Sequence, residues 1–240
     1  MQLLDITLDS MIENIALDEA LLLHCEQTGE QFLRFWNPRQ HAVIMGRSGK
    51  LEQEAITEYC RANQIPVYRR PSGGGTILTG PGCLMYATVL NSNLNLQLKQ
   101  IQGCHDFVLG EMVNALNQIG IPCGILGVSD LAIGNLKFSG NSLRLKRDSI
   151  LYHGTLLCEF NLKRISNALL PPPKQPGYRE NRTHIEFVTN LDRPVTEIKA
   201  AIIQYWKPVL SEGIMPERVQ TLFDELMCSK YQDTNWNVLS

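Results

Sequence analysis

The chain carries three consecutive glycines, residues 73–75, between two short segments that are predicted to be strands, residues 67–70 and 76–78. Adjacent glycines allow several backbone N–H groups to turn toward one point, and such a concavity suits phosphate or carboxylate oxygens. Arg69 and Arg70 stand directly before the run. Their planar guanidinium groups would pair bidentately with oxygens of this kind. The alternative is a tight turn flanked by solvated arginines.

The position of the glycine run excludes two common nucleotide-binding patterns. No Gly-Lys-Ser or Gly-Lys-Thr follows the run, so it is not a P-loop. The glycines are contiguous and precede a strand, whereas the spaced dinucleotide-binding pattern opens a helix. An anion-binding role for this loop therefore requires a fold of another type.

Strands and helices follow one another without the repeated strand–helix–strand units of a parallel sheet. Predicted helices cover residues 12–25, 52–63, 105–120, 196–206 and 217–228. Predicted strands cover residues 32–36, 42–45, 67–70, 76–78, 84–90 and a meander over 130–160, where Gly134 and Asn135 suit a hairpin turn. The Pro-rich, basic residues 161–182 are predicted to form a surface loop. We therefore expect an α+β protein with mixed or antiparallel sheets flanked by helices, in one domain over residues 1–240.

The composition excludes several classes of function. The net charge of −2 argues against a general nucleic-acid binder. The acidic start lacks a signal-peptide pattern and no apolar run approaches about 18 residues, so neither a signal peptide nor a membrane span is expected. Seven cysteines, an odd number without regular spacing, favour reduced thiols and a cytoplasmic location. The isolated pairs at residues 24–25 and 104–105, each one histidine and one cysteine, are not expected to bind metal.

Two further segments place polar residues within apolar strands. Lys137 lies between Leu136 and Phe138 on a predicted strand, so alternation points it to the opposite face. It is either a solvated lysine or a cation turned into a cleft toward an acidic ligand. His153 and Gly154 interrupt another apolar strand. A glycine inside a strand often marks a bulge or the close approach of a ligand, and a lone histidine is more often structural than catalytic.

Together these segments resemble the lipoate–protein ligases of the biotin/lipoate ligase superfamily. Residues 69–77 match the family pattern R-R-x-S-G-G-G-x-V except for a final isoleucine, and residues 137–142 resemble the pattern K-[IV]-S-G-[SN]-[AS]. Residues 153–157 match H-G-T-L-L, and Asp130 with Leu131 matches the N-D-L-V stretch without its asparagine. The resemblance covers nearly the whole chain and implies a biotin/lipoate ligase-like catalytic domain.

The resemblance implies a two-step reaction. A lipoate or octanoate carboxylate attacks the α-phosphate of ATP in the presence of Mg²⁺, giving an acyl-adenylate and pyrophosphate. The acyl group then passes to a lysine of a lipoyl-carrier domain, of the GcvH-like type or from the E2 subunit of a 2-oxoacid dehydrogenase. Nucleic acid and membrane partners are not expected.

The same resemblance assigns roles to particular residues. Lys137 is expected between the acyl carbonyl and the α-phosphate, where it stabilises charge in both steps, and Asp130 is expected to orient the incoming amine or Lys137. The residues assigned to ATP are Arg70, Ser72, Gly73, Gly74, Gly75, Thr76, Ile77, Leu78 and Lys137. The residues assigned to the acyl substrate are Ser139, Gly140, His153, Gly154 and Thr155. No residue is assigned to a metal ion.

The chain departs from the family pattern at two places. Thr79 stands where the family usually has histidine, and Cys83 stands where asparagine or glutamine is common. The chain is also expected to lack the C-terminal accessory domain, of roughly ninety residues, that many such ligases carry. That domain is either supplied by a separate polypeptide or not needed.

Two other functions remain open at this point. An octanoyltransferase of the same fold would use a cysteine thiolate and an acyl-thioester, and Cys123 lies near the expected position, with Lys137 available to lower its pKa. Another branch of that class carries its cysteine in the loop after the His-Gly strand. That loop here, residues 163–190, contains no cysteine. The second alternative is a non-catalytic lipoyl- or nucleotide-binding homologue, which the changes at Thr79 and Cys83 would favour.

Overall fold

The strands of the protein form two sheets in the computed structural model, which describes residues 1–210 and 214–237. The strands are β1 Gln2–Asp5, β2 Phe32–Trp36, β3 Ala42–Met45, β4 Val67–Arg69, β5 Ile77–Thr79, β6 Cys83–Asn91, β7 Gly124–Leu126, β8 Asp130–Ile133, β9 Leu136–Leu145, β10 Ser149–Leu157 and β11 Val209–Leu210.

The helices are distributed between these strands. They are α1 Met11–Thr28, α2 Leu51–Glu54, α3 Thr57–Ala62, α4 Ile101–Asn117, α5 Lys163–Ala168, α6 His184–Phe187, α7 Val195–Trp206, α8 Glu217–Leu226 and α9 Thr234–Asn237. Short 3₁₀ turns occur at Leu96–Lys99 and Gly177–Arg179, and a π-helical turn at Met227–Tyr231 continues α8.

The larger sheet is mixed. Its eight strands run in the order β11-β1-β2-β6-β10-β9-β8-β7, and the small sheet runs β4-β3-β5. The β11-β1-β2 and β3-β4 pairs are parallel and the others antiparallel. The predicted α+β class with mixed sheets and flanking helices is therefore confirmed.

Both faces of the large sheet are covered by helices. On β2, Leu33 and Phe35 face the cluster that α4 and α7 complete, whereas Phe32 faces the cluster of α1 and α8. All five β2 residues are buried for this reason. Helix α1 begins with a capping box between Ser10 and Glu13, in which each side chain accepts a hydrogen bond from the other residue's backbone N–H.

One predicted helix is in fact two. The pattern over residues 52–63 predicted a continuous helix, but the chain breaks after α2 and restarts in α3. At the break, Ala55 forms a β-bridge with Leu169, and the Ile56 N–H donates to the Ala168 carbonyl at 2.8 Å. These tertiary hydrogen bonds replace the helical ones, and they fix α2 against the segment after α5.

The prediction of an irregular segment over residues 161–182 is partly wrong. Helix α5 lies within it, because Ile165 and Ala168 bury their side chains in the core of the small sheet. The remaining residues pass along the cavity described below. The predicted helix over 105–120 starts earlier, at Ile101, and ends at Asn117, three residues before Gly120.

Candidate active site

Residues from both sheets and from the segment after α5 enclose a cavity of about 460 Å³. The predicted site residues that line it are Arg70, Gly74, Gly75, Thr76, Ile77, Leu78, Asp130, Lys137, Ser139, Gly140, His153, Gly154 and Thr155. Ser72 and Gly73 lie just behind its wall and are not among the lining residues. The three sequence segments therefore meet at one place, although they are separated along the chain.

Arg70 shapes the glycine loop from inside. Its guanidinium is buried and donates from Nε to Ser72 Oγ at 3.1 Å and from Nη1 to the Ile44 carbonyl at 3.2 Å. Nη2 donates to the carbonyls of Gly73 and Gly75. Burial lowers the pKa of Arg70 to about 10, which leaves it charged at neutral pH. The cation thus turns these carbonyls toward itself and gives the loop a fixed shape.

Arg69 does not contribute to the cavity, which corrects the expectation that both arginines face the same oxyanion. Its side chain is fully buried and donates from Nη1 to the carbonyls of Gly46, Arg47 and Gly49 at 2.8–3.1 Å. Its Nε donates to the Trp236 carbonyl at 3.0 Å. Successive residues of a strand point to opposite faces, so only one of two adjacent arginines can face the cavity.

The glycines have different local requirements. Gly74 has φ +83°, a left-handed conformation in which a side chain is strained. A Cβ added at Gly73 or Gly75 would meet no atom within 4 Å. The Gly73 carbonyl also accepts a hydrogen bond from Ser142 Oγ at 2.8 Å, which ties the loop to β9. Open space therefore lies beside Gly75 in the cavity wall, while Gly74 sets the turn.

Lys137 forms an ion pair inside the cavity. Its Nζ lies 2.7 Å from Asp130 Oδ1, and the Tyr178 hydroxyl donates to Asp130 Oδ2 at 2.7 Å. Burial and the neighbouring Asp130 raise the pKa of the Tyr178 hydroxyl, so it acts as a donor. Strands β8 and β9 hold the pair across their hairpin, because Asp130 pairs with Gly140. The cation and the carboxylate are thus presented together on one wall.

A buried chain of polar groups lies behind the glycine loop. Asp18, on α1, accepts hydrogen bonds from the guanidinium of Arg34 and from His153 Nδ1, the latter at 3.2 Å. Because a carboxylate oxygen accepts hydrogen bonds, His153 Nδ1 is the donor in this contact. His153 Nε2 lies 2.6 Å from Ser72 Oγ, and Ser72 Oγ accepts from Arg70 Nε. The chain of hydrogen bonds therefore connects α1 to the loop.

These contacts define what His153 contributes. Both of its ring nitrogens are engaged with protein groups, so the cavity meets the carbon edge or face of the ring. The histidine orients Ser72 and, through it, Arg70. Its assignment to the acyl substrate stays a prediction, and any such contact would be apolar.

Gly154 does not mark a bulge. Its lack of a side chain leaves room for the side chain of Asn141. A Cβ there would stand 1.8 Å from Asn141 Oδ1, which lies across the strand and accepts from the Tyr86 hydroxyl at 2.7 Å. Asn141 Nδ2 donates to the Ser129 carbonyl at 2.8 Å, and Ser139 Oγ donates to Asn141 Oδ1 at 3.2 Å. Asn141, which lines the cavity, therefore connects its own strand β9 to β6 and to Ser129 just before β8.

The two positions that depart from the family pattern are structural here. Thr79 is fully buried and its hydroxyl lies 3.3 Å from Met85 Sδ. Thr155 Oγ1 lies 3.2 Å from the same sulfur. Cys83 is buried in the core of the small sheet, and burial raises the pKa of its thiol to about 12. Neither Thr79 nor Cys83 lines the cavity.

Cys123 is a poor nucleophile. It packs against the main core, immediately before β7, and is not a lining residue of the cavity. Burial raises the pKa of its thiol to about 11, whereas a catalytic cysteine requires a lowered value. The suggestion that Lys137 activates this thiol is therefore wrong.

The cavity has apolar walls in addition to these polar groups. Its apolar lining residues are Ile15, Trp36, Ile44, Ile77, Leu78, Met85, Val128, Phe138, Leu157, Ile165, Leu169, Leu170, Phe187 and Val188, together with two prolines. Such a surface suits an aliphatic chain, while the glycine loop and Lys137 suit an anionic group.

Several residues of the site were not identified from the sequence. Asp18 and Arg34 form the buried ion pair, Tyr178 binds Asp130, and Glu54 lines the cavity beside Thr76. Arg34 could have been identified from the sequence, because it is a charged residue within the apolar run that forms β2. Tyr178 and Glu54 carry no such signal, because they reach the site from a loop and from a short helix.

The described part of the chain contains neither a metal-binding cluster nor a membrane-spanning helix. No group of three or more His, Cys, Asp or Glu side chains within residues 1–210 and 214–237 is arranged to hold a metal ion. Over the same residues, no helix has the length and apolar character needed to cross a bilayer.

Comparison with known proteins shows the family to which this chain belongs. Residues 10–207 match the lipoyl protein ligase A/B catalytic domain, and the chain belongs to that family. Lipoate–protein ligase 1 of Staphylococcus aureus is 25% identical over 93% of this chain and 69% of its own length. Several curated relatives are longer, and the chain spans 45% to 69% of their length.

Solved structures share the same fold. An archaeal bipartite lipoate–protein ligase from Thermoplasma acidophilum, described with its E2 lipoyl domain, has a TM-score of 0.83 at 22% identity and covers 99% of this chain and 96% of its own. A lipoate–protein ligase A bound with ATP has a TM-score of 0.77 at 23% identity and covers 99% of both chains. These structures show the fold, and the match over residues 10–207 confirms the predicted lipoate–protein ligase catalytic domain.

Proposed function

We propose that this domain is an ATP-dependent lipoate–protein ligase, which activates lipoate as lipoyl-AMP and transfers the lipoyl group to a lysine of a carrier domain. The observation that carries the proposal is the Lys137–Asp130 ion pair, which faces the same cavity as the glycine loop. The family membership and the names of the relatives support it.

In the first step, a lipoate carboxylate oxygen attacks the α-phosphorus of ATP and pyrophosphate leaves. Arg70 holds the loop so that Gly74, Gly75 and Thr76 face the phosphates. Lys137 Nζ stabilises the negative charge that builds on the α-phosphate oxygens in the transition state. The apolar walls bind the aliphatic chain of lipoate and exclude water from the adenylate.

In the second step, the amine of the carrier lysine attacks the lipoyl carbonyl and AMP leaves. Lys137 stabilises the charge on the carbonyl oxygen and on the departing phosphate. Asp130 is the group that orients the incoming amine and receives its proton, and Tyr178 keeps the carboxylate oriented. Lys137 is not itself acylated, since it acts as a cation throughout.

Magnesium fits this donor set. A Mg²⁺ ion is commonly held by one or two carboxylates together with substrate phosphates. Glu54 supplies one carboxylate on the cavity wall, next to Thr76. When bound, the ion supplies positive charge to the phosphates and to the departing pyrophosphate.

The partner and the location follow from the same proposal. The acceptor is a lipoyl domain of the GcvH-like or E2 type, and a separate accessory polypeptide is consistent with the bipartite archaeal relative. The proposal also treats residues 1–240 as a single catalytic domain. All seven cysteines are free thiols, as expected in the reducing cytoplasm.

The activity is tested by incubating the chain with ATP, Mg²⁺, lipoate and a lipoyl domain, and by weighing that domain by mass spectrometry. The expected result is one added lipoyl group that requires every component. Exchange of pyrophosphate into ATP should depend on lipoate and not on the carrier. Transfer that needs no ATP would contradict the ligase and favour an acyltransferase.

Replacing Gly75 with alanine should weaken ATP binding without changing the thermal midpoint of unfolding. The added methyl group meets no protein atom within 4 Å and enters the cavity where the phosphates are proposed to lie. We expect at least a tenfold loss of ATP affinity by calorimetry, about 1.4 kcal/mol. Gly124→Ala is the matched control, because its methyl group also meets no atom and lies outside the cavity lining. Unchanged ATP affinity in Gly75→Ala would place the phosphates elsewhere.

Replacing Cys123 with serine should preserve most of the transfer activity. The thiol is partly buried against the core and its pKa is raised to about 11, so it contributes packing rather than chemistry. We expect activity within about threefold of wild type, since Cys123 is only partly buried and lies outside the cavity lining. An acyl-thioester trapped on the wild type, with transfer abolished in the variant, would instead support the octanoyltransferase.

A further inference from the structure

Glu54 presents its carboxylate at the end of the glycine loop. It is the last residue of α2 and lines the cavity. Its Oε2 accepts a hydrogen bond from Thr76 Oγ1 at 2.5 Å, and its Oε1 accepts from the Lys50 N–H at 3.2 Å. Thr76 directly follows the three glycines, so the carboxylate lies beside the proposed phosphate site.

The backbone at Glu54 is held in place. The Leu170 N–H donates to the Glu54 carbonyl at 3.1 Å, and the adjacent Ala55 forms its bridge with Leu169. The segment after α5 therefore fixes α2 at its carboxyl end. These backbone contacts fix the position of Glu54, and the hydrogen bonds from Thr76 and from the Lys50 N–H hold its carboxylate at the cavity wall.

The three acidic residues that line the cavity differ in their partners. Asp18 is paired with Arg34 and with His153, and Asp130 is paired with Lys137 at 2.7 Å. Glu54 forms no ion pair within 4 Å among the described residues, and both of its hydrogen-bond donors are uncharged. The nearby cation Arg70 already donates to backbone carbonyls and to Ser72. Glu54 is thus the one of these three carboxylates without an ion pair among the described residues, although its charge acts on the buried guanidinium groups of Arg69 and Arg70.

A carboxylate without an ion pair opposes the binding of ATP alone. The triphosphate is strongly negative, and like charges repel most where protein excludes water. A divalent cation between the carboxylate and the phosphates converts this repulsion into attraction. Mg²⁺ has this preference, because it accepts one protein carboxylate and completes its octahedron with phosphate oxygens and water.

We propose that Glu54 is the protein ligand of the Mg²⁺ ion that enters with ATP, and that its charge makes the site select Mg–ATP over metal-free ATP. The inference rests on the proposed function, because it requires ATP at the glycine loop. It assigns Glu54 a role in substrate selection, separate from the chemistry of Lys137 and Asp130.

The test is a calorimetric titration of ATP in the absence of lipoate, once with Mg²⁺ and once with EDTA. The wild type should bind Mg–ATP at least tenfold more tightly than metal-free ATP. Glu54→Gln keeps the size and hydrogen-bonding shape of the side chain but removes its charge. This variant should bind metal-free ATP more tightly than wild type, bind Mg–ATP less tightly, and lose the preference. Glu52→Gln, an exposed change on the same helix, should behave as wild type.

A purely structural role for Glu54 gives a different pattern. If the variant loses affinity equally with Mg²⁺ and with EDTA, the carboxylate only fixes Thr76 and the proposal is overturned. Equal affinity of the wild type for both forms also overturns it. Failure of the wild type to bind ATP in either form would instead refute the proposed function.

A second variant tests the proposal if Glu54→Gln does not fold. Glu54→Asp keeps the charge and shortens the side chain by one methylene. It should still disfavour metal-free ATP and should bind Mg–ATP at least tenfold less tightly than wild type. The electron paramagnetic resonance spectrum of Mn²⁺ with ATP should differ between wild type and this variant. Identical spectra and unchanged Mg–ATP affinity would overturn the proposal.

Discussion

Replacement of Lys137 with alanine is expected to lower the rate of lipoyl transfer by roughly a hundredfold or more, the usual effect of removing a group that stabilises transition-state charge. The Lys137 ammonium lies 2.7 Å from Asp130 on the cavity wall, and the proposed mechanism uses it in both half-reactions. Pyrophosphate exchange and transfer to the carrier should therefore both decline. Single-turnover assays of each half-reaction measure the two effects separately.

The fold should survive this change, because the Lys137 side chain is 27% exposed and contributes little to the core. Lys146→Ala is the matched control, since Lys146 is an exposed lysine just beyond the end of the same strand, β9, away from the cavity. Its activity should equal that of wild type. A folded Lys137→Ala variant with normal transfer would contradict the proposed role of Lys137 in stabilising transition-state charge.

Replacement of Asp18 with asparagine should lower the free energy of unfolding by about 3–5 kcal/mol, the usual cost of removing one partner from a buried ion pair. Arg34 is fully buried, and it retains only neutral acceptors, on Asn14 and Ile6, once the Asp18 charge is lost. Burial lowers the pKa of Arg34 while Asp18 opposes that shift, so the pair is stabilised only when both charges are present. Urea unfolding monitored by circular dichroism measures the loss.

Asp9→Asn provides the comparison for a surface pair. Asp9 pairs with Arg39 at 3.1 Å, and both side chains are largely exposed. Exposed ion pairs contribute about 1 kcal/mol or less, so this variant should unfold almost as wild type does. If the Asp18 and Asp9 variants lose similar amounts, then solvent or another group compensates Arg34 and the buried pair is not a major determinant of stability.

Much of the fold could be predicted because local patterns and tertiary structure agree. The short, largely apolar runs at residues 32–36 and 42–45 and the Gly134–Asn135 turn predicted strand positions that the structure confirms. The failures occur where tertiary hydrogen bonds override a local pattern. Residues 55–56 leave the helix because α5 supplies their partners, and no feature of residues 52–63 alone reports that contact.

The candidate site shows a similar division. The glycine run, Lys137 and His153 were conspicuous because each is unusual in its own segment, and the structure brings all three together. Their partners were not conspicuous. Glu54 and Tyr178 each act across a long separation in sequence, and a single sequence carries no information on such pairs. The direction of Arg69 was predictable in principle from strand alternation, since its neighbour faces the cavity.

The contacts of Arg69 join the glycine loop to the far end of the chain. Its guanidinium donates to the Trp236 carbonyl at 3.0 Å, and the Trp236 indole N–H donates back to the Arg69 carbonyl at 3.1 Å. Its backbone N–H also donates to Asn237 Oδ1 at 3.2 Å. Over evolutionary time, substitutions in this last helical turn are therefore constrained by the loop. Each contact joins a side chain to a backbone group, so Arg69, Trp236 and Asn237 are each constrained individually, although none of the three is proposed to touch a substrate.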